Sequence, residues 1–355
     1  RRSTLRLRLI PLTVIALLSL AIPALAQNSH ASLASLPEAD ALVYVSPQRI
    51  LNEAVPHVMD PAEVTKMRGA FAELKKSVGV DPSSVEYIVI AVRFNKPASD
   101  LSFVAPDVLM VIGGDFSSES LMTLGQIYLQ DRLRVEQYKS KSITLMKVDP
   151  IVEQAAKNPA LKAYEEIGVV PLTANSLAIG NLRYLKSAID AADGSGRISS
   201  ASLESLLRDP NALISASGAP LASFAKSFGM MGLENTSRDS NCNTRFGNFY
   251  AAVTMSGANF SLRGAINADN PDTARIIQGL LWGLIQQGAS AVPDKDAQSM
   301  LKALKLSAQG DEIVVEADIP EKVVMDMLKS APVPKATAPA KTTPARRPVR
   351  KKRTH

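Results

Sequence analysis

Histidine and cysteine, the side chains that most often act as general bases, nucleophiles or metal ligands, are scarce in this sequence. The chain has three histidines and one cysteine. His30 and His355 lie near its two ends, so only His57 lies in the body, where we expect a loop or helix end. Cys242 lies in the polar stretch SRDSNCNTRFGN, and a single cysteine allows no internal disulfide. The sequence therefore predicts neither a catalytic residue nor a histidine-based metal site.

Glycine and aspartate form two patterns that resemble ligand sites without completing them. Residues 112–116 read IGGDF, which lacks both the Gly-x-Gly-x-x-Gly spacing and the Lys-Ser/Thr pair of phosphate-binding loops. We interpret it as a strand end followed by a turn and a helix start. Asp190 and Asp193 miss the alternating spacing of a calcium loop, and Asp294 and Asp296 are too few to form one. We therefore predict no metal and no cofactor.

Carboxylate pairs remain a different kind of candidate, because the separation that glycoside hydrolysis requires is three-dimensional and has no sequence spacing. An extracytoplasmic hydrolase with a carboxylate-based site is therefore the alternative function. Against a sugar substrate, aromatic residues make up only 5% of the chain, and Trp282 is its only tryptophan. Trp282 lies on an apolar helix face, where we expect it in the core.

Positive charge is concentrated at the two ends of the chain. The 40 basic residues include four in residues 1–26 and eight in residues 331–355, and these two segments contain no acid. The remaining 28 basic residues stand against all 34 acidic ones, so the body is acidic. Because a nucleic-acid-binding domain normally carries its basic surface on the folded body, we expect no specific nucleic acid as a partner.

Residues 1–26 have the organisation of a bacterial secretory signal peptide. An arginine-rich start precedes an apolar stretch from Leu9 to Ile22, and the small-x-small triplet Ala24-Leu25-Ala26 follows Pro23. We expect cleavage after Ala26 and an exported protein, either periplasmic or secreted. The alternative is an uncleaved anchor, but the apolar run is short against the roughly 20 residues of a membrane span. No transmembrane span is predicted in the mature chain.

The tail, residues 331–355, is rich in proline, alanine and lysine and is predicted to be disordered. Its eight positive charges would attract an anionic polymer or lipid phosphates in a salt-dependent way. The alternative is a solubilising end without a partner. The residues that would bind the anionic polymer are Lys335, Lys341, Arg346, Arg347, Arg350, Lys351, Lys352 and Arg353.

The body predicts an α+β fold of two pseudo-repeated halves, each with the order strand-strand-helix-strand-strand-helix, whose antiparallel sheets are covered by helices. YIVIAVRF and DVLMVIGGDF open the first half, and FGNFYAAVTMSG and NFSLRGAINAD open the second. The segment 143–150 (ITLMKVDP) is faintly similar to 313–320 (IVVEADIP). We expect short helices over 151–168, with Gly168 as a stop.

The best-marked helix begins at Asp60-Pro61-Ala62-Glu63 and ends at Gly79. Its apolar stripe is expected to face the core, with partner binding as the alternative. The stripe consists of Val64, Met67, Phe71, Leu74 and Val78.

These patterns divide the chain into six segments. They are a signal peptide (1–26), a mobile lead-in (27–35), a first α+β half (36–198), a helical connector and loop (199–246), a second α+β half (247–330) and the disordered basic tail (331–355).

The stretches LPEADALVYV, NSLAIGNLRYLKSAIDAA and NFSLRGAINADNPDTARIIQGLL together resemble an uncharacterised family of exported bacterial proteins, described only as a domain of unknown function. The resemblance covers about residues 36–329. It implies export and a duplicated α+β body, and it implies no substrate, cofactor or catalytic residue.

From these observations we expect an exported, non-enzymatic binding or structural protein of the cell envelope or the extracellular medium. Its partner would be an unknown protein or envelope component, and its basic tail would tether it to anionic polymers.

Overall fold

The computed structural model describes residues 33–79, 81–95, 105–128, 133–148, 164–218, 246–291, 298, 301 and 303–330. Of the residues that the structure describes, helices make up 38% and strands 41%, so the protein is an α+β protein with a large antiparallel sheet. The predicted signal peptide, most of the predicted lead-in and the basic tail lie outside the described residues.

The described residues contain twelve strands and eight α-helices, numbered in chain order. The strands are β1 (Ala41–Val45), β2 (Val85–Arg93), β3 (Asp107–Gly114), β4 (Leu133–Tyr138), β5 (Lys141–Lys147), β6 (Glu166–Thr173), β7 (Ser176–Gly180), β8 (Ile214–Gly218), β9 (Phe246–Ser256), β10 (Asn259–Ala268), β11 (Lys305–Gln309) and β12 (Glu312–Pro320). The helices are α1 (Pro47–Arg49), α2 (Val55–Val58), α3 (Pro61–Val78), α4 (Ser118–Tyr128), α5 (Leu182–Ala192), α6 (Ser200–Leu206), α7 (Pro271–Ala291) and α8 (Glu321–Ser330); a π-helix (Ile50–Ala54) joins α1 to α2.

All twelve strands belong to one sheet. Their order is β11-β12-β10-β9-β8-β1-β2-β3-β7-β6-β5-β4, and every neighbouring pair is antiparallel. The N-terminal strand β1 lies in the middle, between β2 and β8. The two predicted halves therefore share one continuous sheet, with β11 and β4 at its edges.

The first core lies on the side of the sheet that we call face A. Leu42, Val89 and Leu109 point to this face and pack against α5, whose Tyr184 and Leu185 are fully buried. Helix α5 forms because Asn181 caps it: the Asn181 side chain accepts a hydrogen bond from the Tyr184 N–H.

The second core lies on the opposite side, face B. The strand register connects a row of face A residues across the sheet: Leu42, Ser217, Tyr250, Ala265 and Val314. Since side chains alternate along a strand, Ile313 points to face B, where it packs against Ala274 and Ile277 of α7. The helices of the two cores therefore cover opposite faces of one sheet.

The prediction of short helices over 151–168 was wrong at its C-terminal end, because β6 begins at Glu166. Gly168 is a strand residue and does not stop a helix. A Cβ at this position would collide with Cδ1 of Leu185 and lie 2.9 Å from Cδ2 of Leu145, so glycine lets α5 approach the sheet closely. Residues 151–163 lie outside the described residues.

The structure also differs from the predicted segments near their boundaries. The connector 199–246 contains α6, but also β8 in the centre of the sheet. In the lead-in 27–35, Leu33 is buried in the first core, where the N–H of Leu36 donates to its carbonyl. Of the similar segments, residues 143–147 lie in β5 and 313–320 in β12, and each of these strands is the second from its own edge of the sheet.

Helix α3 has the predicted bounds, but its stripe does not enter a core. The Asp60 side chain accepts from the Ala62 N–H at 2.8 Å, and Gly79 ends the helix at φ +74°. Val64 and Phe71 are only half-buried, and Leu74 is exposed. Among the described residues, no helix combines the length and the apolar character that crossing a bilayer requires.

Candidate functional site

The candidate site lies at the edge of the sheet beneath α7. The Asn270 side chain starts this helix by accepting a hydrogen bond from the Thr273 N–H at 2.9 Å. Buried Ala274 and Ile277 fix its inner side on face B. Gln278 and Trp282, one helical turn apart, consequently lie together on its flank and point toward the end of β11.

A gap in the sheet edge forms the other side of the site. Strand β11 pairs with β12 only as far as Lys305 opposite Glu316. Strand β12 continues to Pro320, and there its other neighbour, β10, still pairs with it. Residues 317–320 of β12 therefore have a strand on one side and no β11 partner on the other.

A cavity of about 670 Å³ occupies the space between this gap and α7. Its lining is mainly apolar, with three polar side chains among the apolar ones, and a volume of this size is typical of ligand-binding pockets. The lining residues are Gln278, Trp282, Ala303, Leu304, Lys305, Leu306 and Asp318. Such an arrangement can bind an apolar group and orient it through a few hydrogen bonds.

The polar groups of the cavity are held by few interactions. The Gln278 amide donates to the Leu306 carbonyl at 3.4 Å, and the Asp318 carboxylate accepts from the Ser261 hydroxyl at 3.2 Å. Trp282, which we predicted to be in the core, is 39% exposed. The prediction was wrong because α7 carries apolar residues all around, so its composition does not identify the buried side. Ile276 and Leu280 are likewise exposed.

A second, smaller cavity of about 230 Å³ lies on face A and is polar. Arg208 extends over the ring of Tyr250, with its guanidinium 5.5 Å from the ring centre, and donates to both carboxylate oxygens of Glu312 at 3.0 and 3.2 Å. Burial raises the pKa of Tyr250 above its usual value. Arg263, whose nearest acid is Glu316 at 3.6 Å, lines the opposite wall.

Within the described ranges, the most buried charged side chain is that of Asp107 at the start of β3. Its carboxylate accepts from Asn181 at 2.6 Å and Arg183 at 2.7 Å through one oxygen, and from Arg93 at 3.0 Å through the other. Burial alone would raise the pKa of Asp107, but these hydrogen bonds hold it below its usual range. The Arg93 guanidinium also stacks 4.5 Å from the ring centre of Tyr184. This network ties β2, β3 and α5 together.

Sequence reasoning missed both the cavity and the Asp107 network, although the sequence contains a pattern that indicates the Asp107 network. Arg93 ends one apolar strand and Asp107 begins the next, and the register places them directly opposite each other. Opposite charges at the facing ends of two apolar strands predict a cross-strand ion pair. The cavity has no comparable signal, because it depends on where β11 stops.

The residues considered from sequence lie apart from one another. His57 is in α2, where its Nδ1 is 3.3 Å from a Glu321 carboxylate oxygen in α8. The interpretation of IGGDF as a strand end, turn and helix start is confirmed: Gly113 and Gly114 end β3, and a Cβ on Gly113 would collide with the Tyr87 ring.

The acids considered as calcium ligands have other partners. Asp190 and Asp193 both pair with Lys139, at 2.6 and 3.2 Å. Within the part of the chain that the structure describes, no three histidine, cysteine or acidic side chains are grouped as a metal site. His30, Cys242, Asp294, Asp296, His355 and all eight basic residues of the tail lie outside the described residues.

Comparison with solved structures finds similarity to TP0453 in its crystal forms I, III and IV. The sequence identities are 10%, 11% and 8%, and the TM-scores are 0.41, 0.43 and 0.42. The matches cover 84% of this chain and 96%, 98% and 96% of the respective TP0453 chains. No family model and no curated protein matches the sequence.

Proposed function

We propose that this protein is an exported, non-enzymatic binding protein of the bacterial cell envelope or the extracellular medium, and that it binds its partner in the cavity beside Trp282. The observation that carries the proposal is the largely apolar cavity of about 670 Å³ at a gap in the sheet edge. Exposed Ile276 on α7 and, on α3, half-buried Val64 and Phe71 and exposed Leu74 add apolar surface of the kind found at binding sites.

The states of the acids in the two polar networks favour binding over hydrolysis. A carboxylic acid that donates a proton in catalysis needs a pKa raised toward the working pH. The pKa of Asp107 is lowered instead, and its carboxylate is occupied by two arginines. Glu312 is likewise held by Arg208. Each of these acids stabilises an arginine, which supports a structural role for them.

The sole tryptophan of the chain provides a direct test of the cavity. The hydrophobic dye 8-anilinonaphthalene-1-sulfonate, bound there, would accept excitation energy from Trp282. Leu304→Asp places a charge in the cavity and is expected to weaken this energy transfer at least fivefold. Leu280→Asp, an equal change at an exposed position of α7 outside the cavity lining, serves as the control. Equal dye binding by the two variants would refute the site.

Export and tethering are proposed from the leader and the tail. A cleavable leader over residues 1–26 supports a periplasmic or secreted location, and eight basic residues without an acid in 331–355 support salt-dependent attachment to anionic polymers or lipid phosphates. Fractionation of cells that express the complete chain or a chain without 331–355 tests both. We expect only the complete chain to leave the envelope fraction as salt is raised; identical behaviour would refute tethering, and cytosolic recovery with residues 1–26 intact would refute export.

We also infer that the body arose by duplication of one unit. The order β1-β2-β3-β7-β6 on one side of the sheet centre parallels β8-β9-β10-β12-β11 on the other, with β4-β5 as an added hairpin. Helices follow β3 and β7 in one unit and β10 and β12 in the other, but α5 packs on face A and α8 on face B, so the proposed duplication concerns the order of the strands. The duplication predicts that a rotation about an axis between β1 and β8 superposes the five strands of one unit on the five strands of the other. An experimental structure in which they do not superpose would refute it.

A further inference from the structure

We infer that the partner bound beside Trp282 is an extended polypeptide segment, which adds as a short strand to the edge of β12 that no described strand covers. This inference rests on the proposed function and specifies its ligand. In such binding, main-chain hydrogen bonds supply affinity, and pockets for alternate side chains supply specificity.

The hydrogen-bond pattern of the sheet identifies the group that pairs with the peptide. A two-residue turn, Gly310-Asp311, joins β11 to β12, so Gln309 and Glu312 form a hydrogen-bonded pair. In antiparallel strands such pairs alternate, so Glu316 also bonds toward β11, and Asp318 is the next residue in that series. The Asp318 N–H and C=O therefore point into the gap.

The opposite neighbour of β12 gives the same result independently. Strands β9 and β10 are also joined by a two-residue turn, with Ser256 opposite Asn259. The alternation along β10 then directs its even-numbered residues, from Phe260 to Ile266, toward β12, where they pair with odd-numbered residues. Asp318 is even-numbered, so its main chain bonds away from β10 and lines the cavity.

The side chains around the gap define the kind of peptide. On face B, Trp282 and Leu306 form an apolar wall to which Leu304 adds at the end of β11; on face A, the Asp318 side chain is polar and exposed. Because successive peptide side chains point to opposite faces, the peptide should alternate apolar and polar residues. Proline is excluded at the residue that donates to Asp318, since it lacks the N–H.

Neighbouring edge groups are less suited to the same partner. On β11 the Leu306 carbonyl already accepts from the Gln278 side chain. At the other sheet edge, β4 carries Arg134 and Glu136, which form ion pairs with Glu166 and Lys186. Charged edge residues of this kind disfavour the addition of another strand.

Selection from random decapeptides displayed on phage tests the inference on the complete chain. We expect enriched peptides to bind wild type but not Leu304→Asp, and to alternate apolar and polar residues. A synthetic copy of the best peptide should change Trp282 fluorescence. We then N-methylate each residue of this peptide in turn and measure its binding to wild-type protein. Binding should weaken about tenfold at the residue whose N–H donates to the main-chain carbonyl of Asp318.

The outcomes separate this inference from the proposed function. If peptides are enriched but no N-methyl analogue binds more than twofold weaker, main-chain pairing is refuted. It is also refuted if no peptide binds wild type better than Leu304→Asp. In either case, energy transfer from Trp282 to the dye would still support the cavity. If wild-type protein binds neither the dye nor any peptide, the site itself is refuted. Because the N-methyl series uses wild-type protein, it does not depend on the folding of a variant.

Discussion

In the half of the sheet from β1 to β4, the strands carry apolar residues on both faces, and α5 packs on face A over a core that includes a buried, fully bonded aspartate. In the half from β8 to β11, face A carries charged residues beside buried apolar ones: Arg263 lies opposite Glu316, and Glu312 lies two rows further along β12, while α7 packs on face B. The first half contains the buried Asp107 network besides its surface ion pairs, whereas the ion pairs of the second half, Arg208 with Glu312 and Arg263 with Glu316, are partly exposed, and its edge has a gap. The two ends of one sheet therefore differ in whether they bury a charged side chain.

The largest expected difference between the halves concerns their ion networks. Asp107→Ala removes a fully buried carboxylate and leaves Arg93 and Arg183 without their partner, so we expect the free energy of unfolding to fall by about 3 kcal/mol. Glu312→Ala breaks the partly exposed pair with Arg208 and should cost less than about 1 kcal/mol. Denaturation in guanidinium chloride measures both. If Asp107→Ala and Glu312→Ala lower the free energy of unfolding equally, the buried and the exposed ion pairs contribute equally to stability.

The same comparison has a pH dependence. Because the pKa of Asp107 is lowered in the folded state, its stabilising effect is complete above the pKa of an unfolded aspartate, about 3.9. The effect is lost as the pH falls through the lower, folded pKa. The stability difference between wild type and Asp107→Ala should therefore shrink in acid, as urea denaturation between neutral and acidic pH would detect. A difference that stays constant would contradict the lowered pKa.

A smaller effect is expected from added bulk in the first half. Gly168→Ala forces a methyl group against Leu185 and Leu145 in a filled core, so we expect a loss of about 1–3 kcal/mol. Thermal unfolding followed by circular dichroism measures it. Unchanged stability would mean that α5 can move away from the sheet at no cost.

The smallest effect, of opposite sign, is expected in the second half. Gly279 lies on the open side of α7, and a Cβ there meets no atom within 4 Å. Alanine favours the helix by up to about 1 kcal/mol over glycine, so Gly279→Ala should stabilise the protein by that amount. The same thermal measurement applies, and destabilisation would indicate that something unaccounted for packs on this side of α7.

Elements with strong local signals could be predicted from the sequence. The apolar runs of β2 and β3 and the caps of α3 and α5 identify these elements without reference to the rest of the chain. Strand β8 was missed because two of its five residues are serines, whose buried hydroxyls bond to the carbonyls of Leu206 and Ser202. Its polar composition conceals a position at the centre of the sheet.

The faces of the sheet and the cavity could not be predicted in this way. Strands that are apolar on both sides, such as β2, do not indicate which side a helix will cover. Because apolar residues are distributed evenly around α7, the sequence predicted that Trp282 is buried, whereas it is exposed. The gap exists because the chain before Lys305 leaves the sheet while β12 continues, and nothing local in either segment requires that difference.

The position of β1 imposes an order on assembly. A chain that emerges N-terminus first exposes this strand early, and β2 can cover one of its sides after about forty more residues. Its other side can pair only after β8 has been synthesised, some 170 residues later. Until then β1 is an edge strand with one unpaired side, and a chaperone that shields this side during synthesis would protect the chain from pairing with other chains.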